Sequence, residues 1–127
     1  MKKFIFLVII LTAAALWAWD HYSSKDLLNW SQNKADSPLS EKIDYYVGMY
    51  HYAKNENGMA AEAFSQLLTG HATSQYAPEA LFKRGQAYRN MRQYDRALED
   101  FSRFLKLYPE HKDAVIARRN EETLKYR

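Results

Sequence analysis

The chain has 127 residues, of which 47% are hydrophobic, and it carries a formal net charge of +3 and no cysteine. This length accommodates one domain with a sizeable core, and the balanced charge gives no indication of a nucleic-acid partner. The absence of cysteine excludes disulfides, thiolate metal sites, cysteine catalysis and the lipid-modified cysteine of bacterial lipoproteins.

Residues 1–19 begin with two lysines and continue as a mostly apolar run. A basic start before an apolar core is typical of a secretory signal. Ala13 and Ala15 offer a cleavage site, whereas Trp17 and Trp19 suit the membrane interface of a retained helix. We therefore predict a signal peptide or an N-terminal membrane anchor, and both fates stay open. Either fate places the following residues outside the cytoplasm, in a periplasmic, secreted or inner-membrane-anchored protein.

Residues 20–37 are predominantly polar, with one short apolar cluster around Leu27 and Trp30. This composition predicts a tether or a short helix. Ser37 followed by Pro38 is typical of a helix cap and a first-turn proline, so a helical domain over 38–127 is predicted to begin here.

Residues 38–69 are predicted to form a helical hairpin with a polar turn that ends in Asn57-Gly58. Residues 46–68 of this hairpin align with residues 83–105 at an offset of 37 residues, which indicates an internal repeat. The copy is degenerate at Asp44 and His51. Six positions match at that offset: Gly48, Ala60, Glu62, Phe64, Ser65 and Leu68 correspond to Gly85, Ala97, Glu99, Phe101, Ser102 and Leu105.

Residues 78–108 carry the clearest pattern, since apolar and small residues recur at helical spacing on both sides of a short polar turn. Such a short connection joins antiparallel neighbours, so a second helical hairpin is predicted. Gly85 and Ala97 lack bulk where the two helices cross. Tyr88 and Phe101 can therefore fill the seam.

This stretch resembles one tetratricopeptide repeat, whose W-x2-L-G-x2-Y…A-x3-F…P pattern is met at Gly85, Tyr88, Ala97, Phe101 and Pro109. The residue at the tryptophan position is a leucine. Together with the longer linker and the run Y-A-P-E-A-L, the chain resembles envelope tetratricopeptide proteins of Gram-negative bacteria. These include the Tol-Pal-associated periplasmic protein and the lipoprotein of the outer-membrane barrel-assembly complex. The resemblance implies an all-α superhelix of two hairpins.

Residues 111–126 have helix-forming composition with sparse apolar positions and no repeat signature. Terminal helices of repeat arrays need a polar outer face, because nothing stacks on them. A C-terminal capping helix is therefore predicted after the second hairpin.

In tetratricopeptide arrays the first helix of each hairpin lines the concave surface, and this resemblance provides a candidate site. The predicted groove exposes aromatic side chains between basic ones, as an extended or helical peptide ligand requires. The opposite face, with Ile43, Tyr46, Val47 and Tyr50, is expected to be buried in the hairpin seams. The predicted partner-binding residues are Lys42, Tyr45, Met49, Tyr52, Glu79, Phe82, Gln86 and Arg89. The alternative is that these aromatic side chains only pack on a neighbouring helix or the tether.

We therefore expect a non-catalytic adaptor or scaffold that binds a protein of the cell envelope outside the cytoplasm. The runner-up is a structural subunit that stacks on itself or on another repeat protein and leaves the groove empty. We predict no cofactor and no metal, because the four histidines lack ligand spacing and no paired carboxylates share a helix face. Nothing in the sequence indicates an enzyme.

Overall fold

A computed structural model of the chain describes the backbone of residues 1–21 and 23–127 and the side chains of residues 1–18 and 23–127. Trp19 and the predicted start of the tether at residue 20 lie outside the described side chains. The described residues form an all-α fold, as the sequence predicts. Its helices are α1 (Lys2–His21), α2 (Ser24–Asn33), α3 (Pro38–Ala53), α4 (Asn57–Gly70), α5 (Ala77–Asn90), α6 (Tyr94–Leu107) and α7 (Ala114–Lys125).

Helices α2 to α7 pack against their neighbours in chain order, and they are preceded by α1. Its large apolar side chains are exposed from Phe4, at 69% of its surface, to Trp17, at 58%. Among the residues that the structure describes, no helix has the length and apolar content needed to cross a membrane.

Helices α3 and α4 form one antiparallel hairpin, and α5 and α6 form another. The two turns share one backbone conformation, because Asn55 and Arg92, 37 residues apart, both have φ near +60°. In each turn the next backbone N–H donates a 2.9 Å hydrogen bond to the carbonyl five residues earlier. These bonds run from Glu56 to His51 and from Gln93 to Tyr88.

The helices of each hairpin cross at a glycine that lies against a phenylalanine ring. A side-chain carbon on Gly48 would lie 2.5 Å from Cε1 of Phe64, and one on Gly85 would lie 3.0 Å from Cε1 of Phe101. Real side-chain carbons do not tolerate the first distance. The same close approach thus occurs twice, at the 37-residue offset.

The apolar core continues from one hairpin to the next. Phe64 and Leu67 of the first hairpin pack with Ala77 and Ala80 of α5. A second cluster joins the second hairpin to α7 through three phenylalanines and two alanines. These are Phe82, Phe101, Phe104, Ala114 and Ala117, and the cluster also includes Leu81 and Ala97.

Helix α2 packs against the first hairpin, with Leu28 buried among Val47 and Ala63. The α2 capping box is complete, since Ser23 and Asp26 exchange side-chain and backbone hydrogen bonds. Residues 24–33, predicted as a tether or a short helix, are thus helical. Helix α2 contacts α3 of the first hairpin, just as α4 contacts α5 of the second hairpin.

Candidate functional site

One face of the fold is formed by α3 and α5, which are the first helices of the two hairpins, and by α7. Hydrogen bonds between side chains join α3 to α5 and α5 to α7. The phenol groups of α3 donate to acceptors on α5, and an arginine of α5 donates to α7. The pairs are Tyr45 and Glu79 at 2.8 Å, Tyr52 and Gln86 at 3.0 Å, and Arg89 and Asn120 at 2.6 Å.

These bonds give α7 the position relative to α5 that α5 holds relative to α3, which is that of the first helix of a hairpin. Tyr52 and Arg89 are 37 residues apart and hold the same position on α3 and α5. Their acceptors Gln86 and Asn120 are 34 residues apart, which is the usual length of a tetratricopeptide repeat. Helix α7 therefore continues the array by one helix beyond α5 and α6.

Tyr45, a predicted groove residue, is 9% exposed and stacks on Tyr76 with ring centroids 4.5 Å apart. Its phenol donates to Glu79. Burial raises the pKa of this phenol, and the Glu79 carboxylate raises it further. The hydroxyl is therefore a permanent donor that fixes α3 against α5.

Phe82, the predicted groove aromatic of α5, is 3% exposed. Its ring packs at 5.9 Å from Phe101 and 5.5 Å from Phe104. The expectation that Tyr45 and Phe82 are exposed is therefore wrong. Small side chains on α7, at Ala114 and Ala117, make room for the phenylalanine rings, and Tyr76 from the linker covers Tyr45.

The other predicted groove residues remain at least partly accessible. Lys42 and Arg89 are exposed, and Met49, Tyr52 and Gln86 are half-buried. Glu79 is also half-buried, and Lys83 places its ammonium 4.8 Å from the centre of the Tyr52 ring. The accessible face is therefore more basic and less aromatic than predicted, and its contact with a partner stays a prediction.

The opposite face of α3 is not buried as expected. Val47 is buried and Ile43 is half-buried, but Tyr46 is 60% exposed and Tyr50 is 40% exposed. The equivalent of Tyr50 on α5 is Ala87, which is fully buried. The short helix α2 covers less of α3 than a full hairpin would. A cavity of about 430 Å³ remains there, lined by Ser23, Ser24, Leu27, Tyr46, Val47, Tyr50, His51 and Lys54.

A buried ion pair in the second hairpin was not predicted. Arg84 donates to both carboxylate oxygens of Asp100 at 2.8 and 2.7 Å, and to Ser65 of α4 at 3.1 Å. Burial raises the pKa of Asp100, and the Arg84 guanidinium opposes that rise. The sequence did indicate such a pair, because Arg84 occupies the leucine position of the W-x2-L-G-x2-Y pattern. An arginine at a core position requires a buried partner.

A second polar cluster joins α2, α3 and the end of α4. Asp44 is 1% exposed and accepts a 2.8 Å hydrogen bond from Gln66, while His71 contacts the Ser40 hydroxyl at 2.7 Å. Burial raises the pKa of Asp44, and hydrogen bonds from Ser31 and Gln66 oppose that rise. Because each polar group here has a partner in a neighbouring helix, the cluster fixes α2 against the first hairpin.

The histidines are placed separately. His51 bonds to Glu56 in the first turn, and this bond lowers the pKa of Glu56. His71 lies in the polar cluster and His111 beside Asp113, while the side chain of His21 lies outside the described part. Within the described residues, no three His, Asp or Glu side chains converge on a possible metal position.

The comparisons with known proteins agree with this geometry. Residues 78–111 match the family model described as the tetratricopeptide repeat. A search of curated proteins found no match. Tetratricopeptide repeats generally mediate protein–protein interaction and are typically non-catalytic. The family match and the all-helical fold together support a tetratricopeptide repeat at residues 78–111 within an all-α, repeat-like fold.

Proposed function

We propose that this chain is a non-catalytic adaptor that binds an envelope protein through the face formed by α3, α5 and α7, outside the cytoplasm. The observation that carries the proposal is the series of hydrogen bonds that joins these three helices into one continuous surface. Such bonds hold the backbone rigid, so a ligand that binds there loses little affinity to reorganisation of the protein.

The charges on this face favour a ligand with acidic side chains. Lys42 and Arg89 are exposed, and the half-buried Lys83 lies over the ring of Tyr52. Glu79 accepts a hydrogen bond from the neutral Tyr45 phenol and keeps its charge, so three basic side chains share this face with one predicted groove carboxylate. A peptide or helix with acidic residues would therefore complement this surface, with Met49 and Tyr52 as its apolar contacts.

The extracytoplasmic location rests on α1. Its two lysines lie before a run of exposed apolar side chains, and the core clusters of the described residues include none of them. An exposed apolar surface of this extent in water is unfavourable, which supports a membrane role as an export signal or as an anchor. Both roles place α2–α7 on the same side of the membrane.

Cysteine labelling tests the location, because the chain has no cysteine of its own. The Lys106→Cys variant carries a single thiol on the exposed surface of α6. In intact cells, a thiol reagent that does not cross the inner membrane should label this variant as fully as it does after lysis. Labelling only after lysis would place the repeats in the cytoplasm and overturn this part of the proposal.

Photo-crosslinking tests the binding face independently of location. A photoreactive phenylalanine at Met49 on the proposed face should form a covalent adduct with one protein in the native host. The same residue at Arg103, exposed on α6, is the matched control and should not form that adduct. An adduct formed equally from both positions would show that binding does not use the face of the first helices.

A further inference from the structure

Helix α7 has one buried face and one exposed stripe on the opposite side. Ala114, Ala117 and Asn120 are buried against the second hairpin. The exposed stripe has spacings of four, three and four residues, which keep its members in line on a helix. It consists of Val115, Arg119 and Glu122 of α7 and of the C-cap residue Tyr126, with Val115 at 66% and Tyr126 at 87% exposure.

In the complete second hairpin, this stripe is the contact with the second helix. Because Asn120 corresponds to Gln86, Val115 aligns with Leu81, which is 1% exposed. By the same offset Arg119 aligns with Gly85, which lies against Phe101 of α6. Helix α7 therefore presents to solvent the face on which an antiparallel helix packs elsewhere in the array. Arg119 in place of glycine excludes the close approach of α6 and requires a partner that accommodates a guanidinium.

The charges of the stripe are complementary to those of the same stripe on a second copy of the chain. When a second α7 is laid antiparallel, Arg119 of each copy faces Glu122 of the other, and Val115 of each faces Tyr126 of the other. Both pairs are centred between residues 120 and 121, so one two-fold axis satisfies all four contacts. A parallel arrangement would instead place Arg119 against Arg119.

No ion pair within the described residues engages Arg119 or Glu122, whereas neighbouring Glu121 is paired with Lys125 at 3.1 Å and accepts a hydrogen bond from Ser102. The two charges that would meet in the dimer are thus available. The two apolar side chains at the ends of the stripe would lose exposed surface on pairing, which favours association.

From this pattern we propose that α7 is a self-association helix, which pairs antiparallel with α7 of a second copy of this chain. One helix pair buries less than the roughly 800 Å² per partner of a stable interface, so the dimer is weak and depends on concentration. Confinement of several copies at a membrane by α1 would raise their effective concentration and favour the dimer. This inference does not depend on the proposed ligand face.

Disulfide crosslinking of the full-length protein tests the pairing. Val115→Cys and Tyr126→Cys variants, mixed in detergent and oxidised, should form a mixed dimer, because the proposed geometry brings positions 115 and 126 together. Each variant alone should crosslink poorly, since identical positions would lie roughly 16 Å apart along the helix axis. The proposal would be overturned if Val115→Cys alone formed a disulfide dimer at the same yield as the mixed pair. It would also be overturned if a Lys106→Cys control formed a disulfide dimer at that yield.

Charge reversal separates this contact from any association through α1. Adding Arg119→Glu to both cysteine variants should reduce the mixed disulfide roughly tenfold, because two attractive pairs become repulsive. The yield should return when one chain carries Arg119→Glu and the other carries Glu122→Arg, which restores both pairs. These positions are exposed, so unchanged circular dichroism serves as the check on folding. A yield that ignores charge reversal would contradict the proposed interface.

Discussion

Gly48 and Phe64 are in contact at a distance that leaves no room for any side chain at position 48. The same relationship joins Gly85 and Phe101 in the second hairpin, with slightly more space. We therefore expect Gly48→Ala to lower the free energy of unfolding by about 1–3 kcal/mol through overpacking, and Gly85→Ala to lower it less.

Gly58 provides the matched control for these glycines. It lies in α4 with nothing within 4 Å of an added side-chain carbon. Gly58→Ala should therefore leave stability unchanged or raise it by up to about 1 kcal/mol. Urea unfolding of the three variants measures the differences, and equal losses at positions 48 and 58 would exclude a steric cause.

Arg92 holds a left-handed backbone conformation that L-residues with a side chain adopt at a cost of about 1–2 kcal/mol. Glycine removes that cost but adds conformational entropy to the unfolded chain. Arg92→Gly should therefore stabilise the protein by about 0.5–1 kcal/mol. Asn55→Gly, at the equivalent turn, should change stability little, because asparagine already tolerates this conformation. Thermal and urea unfolding would measure both effects, and a loss of stability in Arg92→Gly would contradict this reasoning.

The Arg84–Asp100 pair should show strong coupling. Asp100→Ala leaves a guanidinium that is 15% exposed without its carboxylate, at an expected cost of about 3–5 kcal/mol. The double variant Arg84→Met/Asp100→Ala removes both charges and fills part of the space, so it should lose less than Asp100→Ala alone. A double-mutant cycle from urea unfolding tests this. Additive losses would mean that the two side chains act independently.

Asp44 should make stability depend on pH. Because burial raises its pKa above the ordinary value of 3.8, the folded protein holds this proton at a pH where the unfolded chain has lost it. The contribution of Asp44 to stability is therefore most favourable at acid pH and falls as the pH rises through this window.

Asp44→Asn keeps an oxygen that can accept the Gln66 hydrogen bond but removes the titration. The stability of this variant relative to the native protein should increase from about pH 4 towards neutrality and then level off. Urea unfolding across this range measures the difference. A constant difference would show that the carboxyl has an ordinary pKa in the folded state.

The helical pattern and the glycine crossings could be read from the sequence because they follow from local spacing and from sterics within one hairpin. The side that each aromatic residue faces could not be read in the same way. Phe82 is buried because Ala114 and Ala117 of α7 leave space for its cluster, and Tyr46 is exposed because α2 is short. Both outcomes depend on packing between elements that are distant in sequence.

The role of Arg84 was readable in principle, since a charged residue at a core position of a repeat calls for a buried partner. The bonds from α3 to α5 and from α5 to α7 were not readable. They depend on how far each helix is displaced along its neighbour. The residue types at positions 52 and 86 do not specify that displacement. Partner binding at the predicted positions on α3 and α5 therefore stays a prediction, whereas the predicted exposure of Tyr45 and Phe82 is wrong.

We expect a partner to bind the face of α3, α5 and α7 through basic side chains. This binding can be measured by photo-crosslinking from position 49 in the native host, combined with Lys42→Glu. Lys106→Glu, exposed on α6, is the matched charge control. The adduct from position 49 should be lost with Lys42→Glu and kept with Lys106→Glu, while circular dichroism stays unchanged. An adduct that survives Lys42→Glu at full yield would contradict binding through the basic side chains of this face.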